Sequence, residues 1–157
     1  MSRIIRIILG LSGLLAGSAT AFAAPALTVT QALAFGTIFL KNNDAVYSAT
    51  ITPLGILSYD SAFLFMGHAK NAAYSLSGAD PDMDINVSFD PSPLTLSCSC
   101  GSPDLTLDNF TISPVLPHTN LAGHTTFKLG ATLLTSGSGP TYGDGAYSGT
   151  VTINLDY

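Results

Sequence analysis

The chain has 157 residues, enough for one ordinary domain and too short for two. Charged residues make up 10% of it, against about a quarter of a typical globular protein, and 46% is hydrophobic, so disorder driven by charge is excluded. All ten acidic residues are Asp, and the five basic residues are too few to neutralise the phosphates of a nucleic acid. We therefore expect a folded, acidic single domain that does not bind nucleic acid.

The first 23 residues are typical of a secretory signal peptide. Arg3 and Arg6 precede an apolar run at 7–15, and the small-x-small tripeptide Ala21-Phe22-Ala23 follows. The run is shorter than the ~20 residues that a membrane span needs, so cleavage is favoured over a retained anchor. We expect cleavage after Ala23, export through the inner membrane, and a mature chain of 134 residues without a membrane span. Its 3 Lys and 10 Asp give a net charge of −7 with His neutral.

The mature chain, 24–157, alternates as β-strands do and shows no helical period. The clearest run is 147–157, in which apolar or small side chains occupy one face and polar side chains the other. A Gly-rich loop at 136–145 separates it from a second alternating run at 126–134. The other candidate strands are 27–35, 46–51, 62–66, 73–76, 85–89, 94–97 and 105–112.

Short strands of this kind, separated by clusters of Gly, Pro, Asn, Asp and Ser, predict an all-β fold. Thr, Val, Ile, Phe and Tyr dominate the strands and suit a pleated, half-buried surface. A β-sandwich is favoured over a closed barrel. A chain of this length buries about two-thirds of its extended surface, so it needs no disulfide framework for stability.

Three stretches together resemble a family of secreted bacterial proteins catalogued as a domain of unknown function. They are ALAFGTI at 32–38, LTLDNF at 105–110 and the ending GAYSGTVTINLDY at 145–157. That family is similar in turn to subunits of chaperone–usher pili of the archaic, spore-coat-protein-U-like kind. The resemblance spans nearly the whole mature chain, and its most specific parts are the Phe-Gly element near the start and the Tyr-terminated strand at the end.

The resemblance implies an immunoglobulin-like β-sandwich that lacks one strand. The missing strand leaves an apolar groove, which is filled first by a periplasmic chaperone and then, at an outer-membrane usher, by the N-terminal segment of the next subunit. Main-chain hydrogen bonds give this β-augmentation its affinity, and alternate side chains give it register. Because each subunit gives one strand and receives one, the product is an open fibre at the cell surface.

The resemblance also assigns residues of this chain to the two halves of that contact. The groove wall, which a chaperone would recognise, is assigned to Val151, Ile153, Leu155 and Tyr157. The donor strand is assigned to the first mature segment, with Leu27 and Val29 as its pocket-filling side chains.

The chain departs from the pilin pattern at its mature N-terminus. The segment 24–32 has only nine residues, which is short for a donor strand, and Leu27 and Val29 also fit the first strand of a complete sandwich. The alternating C-terminus likewise fits any terminal strand. A self-complete secreted sandwich that binds a protein or carbohydrate partner therefore stays open as the alternative, with a secreted enzyme as a third hypothesis.

The cysteine pattern is a further departure, because many pilins join two distant strands by a disulfide and this chain has only Cys98 and Cys100. Residues i and i+2 of an extended strand have Cα atoms ~6.7 Å apart, at the edge of bridgeable distance. A tight turn aided by Gly101 would close a small local disulfide. An intermolecular bridge, free thiols and half of a metal site remain open, whereas a redox motif normally separates its cysteines by two residues.

Metal and catalytic patterns are weak. The Asp-rich stretch 80–86 places oxygens at alternate positions as a calcium loop does, but its sixth position is Ile85 instead of Gly and its twelfth is Pro91 instead of Glu. An acidic turn exposed to solvent is therefore favoured.

No zinc-like spacing links the cysteines to the histidines, which are His68, His118 and His124. The sequence contains no nucleophile elbow, phosphate loop or dinucleotide fingerprint. We predict surface histidines, no catalytic residue, no metal site and no cofactor, and hence no enzyme.

Overall fold

A computed structural model describes residues 24–156, so the predicted signal peptide and Tyr157 lie outside the described residues. The described chain is all-β, which confirms the predicted class, and it contains no helix that could cross a membrane. Its strands are β1 (Ala26–Gln31), β2 (Ile38–Leu40), β3 (Ser48–Ile51), β4 (Leu57–Tyr59), β5 (Phe63–Phe65), β6 (Ala72–Ser77), β7 (Asn86–Asp90), β8 (Leu94–Leu96), β9 (Leu105–Ser113), β10 (Thr125–Leu134) and β11 (Thr152–Asp156).

Strand β10 is the centre of a seven-stranded antiparallel sheet. Along one edge it pairs with β9, and along the other it pairs first with β6 and then with β3. Gly130 lies where β6 gives way to β3, and a Cβ there would collide with the carbonyl oxygen of Ile51. Strands β1, β4 and β8 extend the sheet by pairing with β6, β3 and β9 respectively.

Two small antiparallel sheets, β7–β11 and β2–β5, cover one face of β10. Phe127 and Leu129 of β10 belong to a first core cluster, which β7 and β11 complete. Ala131 and Leu133 belong to a second core cluster, which β2, β5, β8 and β9 complete. Since alternate residues of a strand share a face, both small sheets pack on the same side of the main sheet.

Each candidate strand of the sequence overlaps an observed strand, but the first and the last are shorter than predicted. The candidate 27–35 forms β1 only up to Gln31, after which Ala34 makes an isolated bridge to Lys70. The alternating run 147–157 forms β11 only over Thr152–Asp156, and before it only Ser148 pairs, in a bridge to Ser97. Gly149 explains the irregular stretch, because its backbone packs so closely on β8 that a Cβ would lie 2.9 Å from the carbonyl oxygen of Thr95. Strands β2 and β4, of three residues each, were not predicted.

Candidate functional site

The described chain contains an apolar groove with a volume of about 770 Å³. Two segments outside the main sheet contribute to its lining, and we call them the N-terminal rim, residues 33–37, and the C-terminal rim, residues 142–151. Asp144 is the one charged residue that lines the groove. The floor consists of core side chains from β8, β9 and β10, which are Leu94, Leu96, Leu105, Leu107, Phe110, Leu129 and Leu133.

The N-terminal rim has a backbone edge without a partner. Ala34 exchanges two backbone hydrogen bonds with Lys70, of 2.9 and 2.7 Å, so its N–H and C=O both point to that side. In an extended chain, the polar groups of successive residues point to opposite edges. Leu33 and Phe35 therefore present theirs on the other edge, where no backbone group of residues 24–156 pairs with them.

The C-terminal rim repeats this arrangement. Ser148 exchanges two backbone hydrogen bonds with Ser97, each of 3.3 Å. Tyr147 and Gly149 consequently direct their N–H and C=O groups away from Ser97, and neither residue makes a backbone hydrogen bond within the described chain. Each rim thus combines an apolar lining with main-chain donors and acceptors that a further strand could satisfy.

A buried asparagine holds the Gly-rich loop that leads into the C-terminal rim. Asn43 is 2% exposed, and its Nδ2 donates to the carbonyl oxygen of Pro140 at 2.8 Å and to Ser136 Oγ at 3.0 Å. Its Oδ1 accepts from the N–H of Gly137 at 2.9 Å. These bonds satisfy a polar side chain that would be costly to bury alone, and they fix the loop against the end of β10.

The start of the C-terminal rim rests on the segment that precedes β9. The Tyr142 hydroxyl donates to the carbonyl oxygen of Asp104 at 3.1 Å and accepts from the N–H of Ser136 at 2.8 Å. The N–H of Gly143 donates to Ser102 Oγ at 2.7 Å. Tyr142 also packs edge-on against Tyr147, with 5.9 Å between ring centroids. These contacts fix the start of the rim on the segment before β9 and do not use the backbone groups of Tyr147 and Gly149.

The two cysteines lie against the same rim. The structure joins Cys98 and Cys100 by a local disulfide, with 5.2 Å between their Cα atoms, so the chain turns more tightly here than an extended strand. The N–H of Cys100 donates to Cys98 Sγ at 3.1 Å. A Cβ on Gly145 would collide with Cys98 Sγ, so the rim passes directly over the sulfur atoms. Sequence reasoning missed this contact, because the two segments lie far apart along the chain.

The C-terminal residues that the resemblance assigned to the groove wall separate into two groups. Val151 lines the groove. Ile153 and Leu155 pack instead against the first core cluster, within the pair β7–β11. Tyr157 lies outside the described residues. The C-terminal part of the groove wall is thus built mainly from residues before β11. The Phe-Gly element at 35–36, which the resemblance singled out, belongs to the N-terminal rim.

The residues assigned to the donor strand lie in β1, at the edge of the main sheet. Leu27 pairs with Leu76 of β6 and packs against the first core cluster. Val29 pairs with Tyr74 and is 57% exposed. In the isolated chain this segment is therefore an edge strand of its own domain, with Val29 facing solvent.

The Asp-rich turn is held by the loop before β10. His118 Nδ1 lies 2.8 Å from Asp84 Oδ1 and its Nε2 lies 3.0 Å from Asp82 Oδ1. The hydrogen bond to Asp84 is the larger cause of a raised pKa of His118, and the hydrogen bond to Asp82 is the second. The buried Thr119 donates from Oγ1 to the carbonyl oxygen of Asp80 at 2.7 Å. Within residues 24–156, no three His, Cys, Asp or Glu side chains group as a metal site would need.

Comparison with known proteins gives a family but no close relative. No curated protein matches the chain, and no solved structure matches it. A family model described as a domain of unknown function matches residues 27–157, which include both rims, the groove floor and nearly all of β1. The chain therefore belongs to the family of the domain of unknown function DUF4402.

Proposed function

We propose that this protein is an exported structural subunit of a bacterial surface fibre or coat. In this proposal it is a pilin-like, immunoglobulin-like β-sandwich that assembles by donor-strand β-augmentation. The observation that carries the proposal is the groove, in which two rims with unpaired backbone edges flank an apolar floor. Edge groups of this kind are a template for one more strand.

The chemistry of the groove defines the strand that fits it. A strand between Phe35 on one rim and Tyr147 and Gly149 on the other would form main-chain hydrogen bonds at both edges. Alternate side chains would point down to the leucine floor, and each fully buried Leu or Val would contribute about 1.5–3 kcal/mol. The groove thus selects a short segment with apolar residues at alternate positions.

The chain contains such a segment near its mature N-terminus. Residues 24–32, APALTVTQA, carry no charged side chain and place Leu27 and Val29 at alternate positions. With Asp144 as the one charged residue in the groove, nothing there would repel an uncharged strand. In this proposal the partners are other copies or related subunits, and a periplasmic chaperone and an outer-membrane usher protect and deliver them.

A specific observation favours a second candidate function. Because β1 already pairs with β6 of its own domain, the strand must detach from β6 before another subunit can receive it. If β1 stays in place, the protein is a self-complete secreted β-sandwich whose groove binds a protein or carbohydrate partner as a monomer.

A peptide titration tests the proposal. We expect a synthetic peptide of residues 24–32 to bind the chain 24–157 and to slow amide hydrogen exchange at Phe35, Tyr147 and Gly149, since these groups gain partners. A control peptide with Leu27→Ser and Val29→Ser keeps the backbone but loses the buried side chains, so it should bind at least about tenfold more weakly. Unchanged exchange at both rims under saturating peptide would contradict strand insertion.

A further inference from the structure

The Cys98–Cys100 disulfide supports the C-terminal rim at its closest approach to β8. A Cβ built on Gly145 would lie 2.8 Å from Cys100 Sγ and would collide with Cys98 Sγ. Only a residue without a side chain lets the rim backbone pass so near the bonded sulfurs. The position of the rim at Gly145 therefore depends on where the two sulfur atoms lie.

Two more contacts connect the same segments. The Tyr147 hydroxyl lies 3.7 Å from Cys100 Sγ, and because a disulfide sulfur carries no proton, the hydroxyl is the donor. One residue further, Ser148 forms the bridge to Ser97 described above. The segments 97–100 and 145–148 thus touch at successive positions.

The disulfide lies between strand β8, which is paired along its length, and a rim segment with few backbone hydrogen bonds. Strand β8 pairs with β9 over all three of its residues, so the chain that enters the disulfide is anchored in the main sheet. Between Asp144 and Val151, the backbone pairs with the rest of the described chain only through the two 3.3 Å bonds of Ser148. The sulfur contacts at Gly145 and Tyr147 therefore act together with the packing of Tyr147 and Val151 on the second core cluster to hold this half of the rim.

We propose that the Cys98–Cys100 disulfide positions the C-terminal rim, and that its reduction by a thiol reductant loosens the rim and weakens strand binding in the groove. The binding half of this inference rests on the proposed function, whereas the positioning half does not. Cys100 is exposed, so a reductant in solution can reach it.

The reduction is a balanced two-electron step. Two thiol groups of the reductant supply two electrons and two protons, the bond between Cys98 Sγ and Cys100 Sγ breaks, and a disulfide forms between the two reductant sulfurs. Two thiols cannot stay at the ~2.05 Å separation of bonded sulfurs, so the sulfur atoms move apart. Because Gly145 packs across both, the rim must shift when they separate.

Amide hydrogen exchange of the chain 24–157 tests the positioning role without any ligand. We expect dithiothreitol to speed exchange across 145–149 and to leave β9 and β10 unchanged, and reoxidation to restore the original rates. Equal exchange of the rim in the oxidised and reduced protein would overturn the inference.

Matched variants separate loss of the disulfide from other effects of the reductant. The double variant Cys98→Ser, Cys100→Ser should exchange like the reduced protein and should not respond to dithiothreitol. Gly145→Ala should loosen the rim while the disulfide is intact, whereas Gly67→Ala, whose added Cβ meets nothing nearer than Thr37 N at 3.6 Å, should not. A Gly145→Ala rim that exchanges like the oxidised wild type would contradict the packing argument.

Titration of the 24–32 peptide into both redox forms tests the binding half. We expect affinity to fall by about tenfold on reduction, a usual size for coupling between two sites. Equal affinity in the two forms would overturn the inference that the disulfide controls strand binding. If neither form binds while exchange still responds to reduction, the proposed function fails and the positioning role stands.

Discussion

Asn43 shows how a single residue prepares the groove, because its amide fixes the loop that leads into the C-terminal rim. We predict that Asn43→Ala lowers the free energy of unfolding by about 2–3 kcal/mol, since it removes the hydrogen bonds that the buried Asn43 side chain makes to Ser136, Gly137 and Pro140. The neighbouring exposed Asn42 is the matched control, and Asn42→Ala should change the free energy by less than about 0.5 kcal/mol. Urea denaturation measures both, and equal effects would contradict the role of Asn43.

His118 gives the acidic turn a dependence on pH. Hydrogen bonds to Asp84 and Asp82 raise its pKa above the ordinary 6.5, so the folded state favours the protonated imidazole. The resulting stabilisation is fully present below the pKa that His118 has in the unfolded chain, and it is lost as the pH rises through the higher pKa of His118 in the folded chain. We predict that wild type is more stable than His118→Ala in acid, and that the difference shrinks above neutral pH.

The check is the free energy of unfolding of both proteins from pH 5 to 9. His68 and His124 are present in both, so the difference between the curves isolates the interaction of His118 with Asp82 and Asp84. A difference that stays constant with pH would mean that the titration of His118 is not linked to folding.

At the scale of elements, strand β1 carries two alternate apolar side chains with different roles, Leu27 in folding and Val29 in the proposed assembly. Leu27 packs against the first core cluster, so Leu27→Ser should destabilise the monomer by about 1–2 kcal/mol, less than a fully buried Leu would. Val29 is largely exposed, so Val29→Ser should change monomer stability by less than about 0.5 kcal/mol. If β1 is the donor, Val29→Ser should nevertheless reduce polymer yield.

Thermal melts and light scattering of the two variants give the comparison. Polymer yield from Val29→Ser that equals the wild-type yield would show that the side chain is not buried in a neighbouring subunit. A loss of yield with an unchanged melting temperature would assign Val29 to assembly and not to folding.

The elements differ in how far the sequence predicts them. Strand β10 was predicted almost to its ends, because Phe127, Leu129, Ala131 and Leu133 alternate along a fully covered face. The same alternation continues through 147–151, but this segment forms no continuous strand. Alternation indicates which side chains are buried, and it does not indicate whether the backbone is paired with a neighbouring strand. The groove is lined by residues at which the side chains face the core but the backbone is unpaired.

The candidate site was predictable only in its local parts. The spacing of Cys98 and Cys100 permits a local disulfide, and the structure contains one. Its contact with Gly145 joins segments that are about 45 residues apart along the chain. The hydrogen bonds of Asn43 to the Gly-rich loop join segments that are about 95 residues apart. No short-range pattern encodes such contacts, since they join segments that only the tertiary fold brings together.

At the scale of the whole molecule, two features lead to opposite expectations. The groove, with its unpaired rims, describes a domain that lacks a strand, whereas β1 on β6 describes a domain that has used its own N-terminus. The proposed exchange of β1 between copies would reconcile them, because a strand that leaves β6 could enter the groove of a neighbour. Such a contact would be heterologous and would continue into a fibre.

The state of the purified chain 24–157 tests this account most directly. Its measurement is an unheated and a boiled sample on a denaturing gel, with light scattering of the same preparation. We predict a ladder of polymers in the unheated lane that collapses to monomer on boiling, since inserted strands would resist detergent until heated. A single stable monomer in both lanes and in solution would contradict strand exchange and would favour a self-complete binding module.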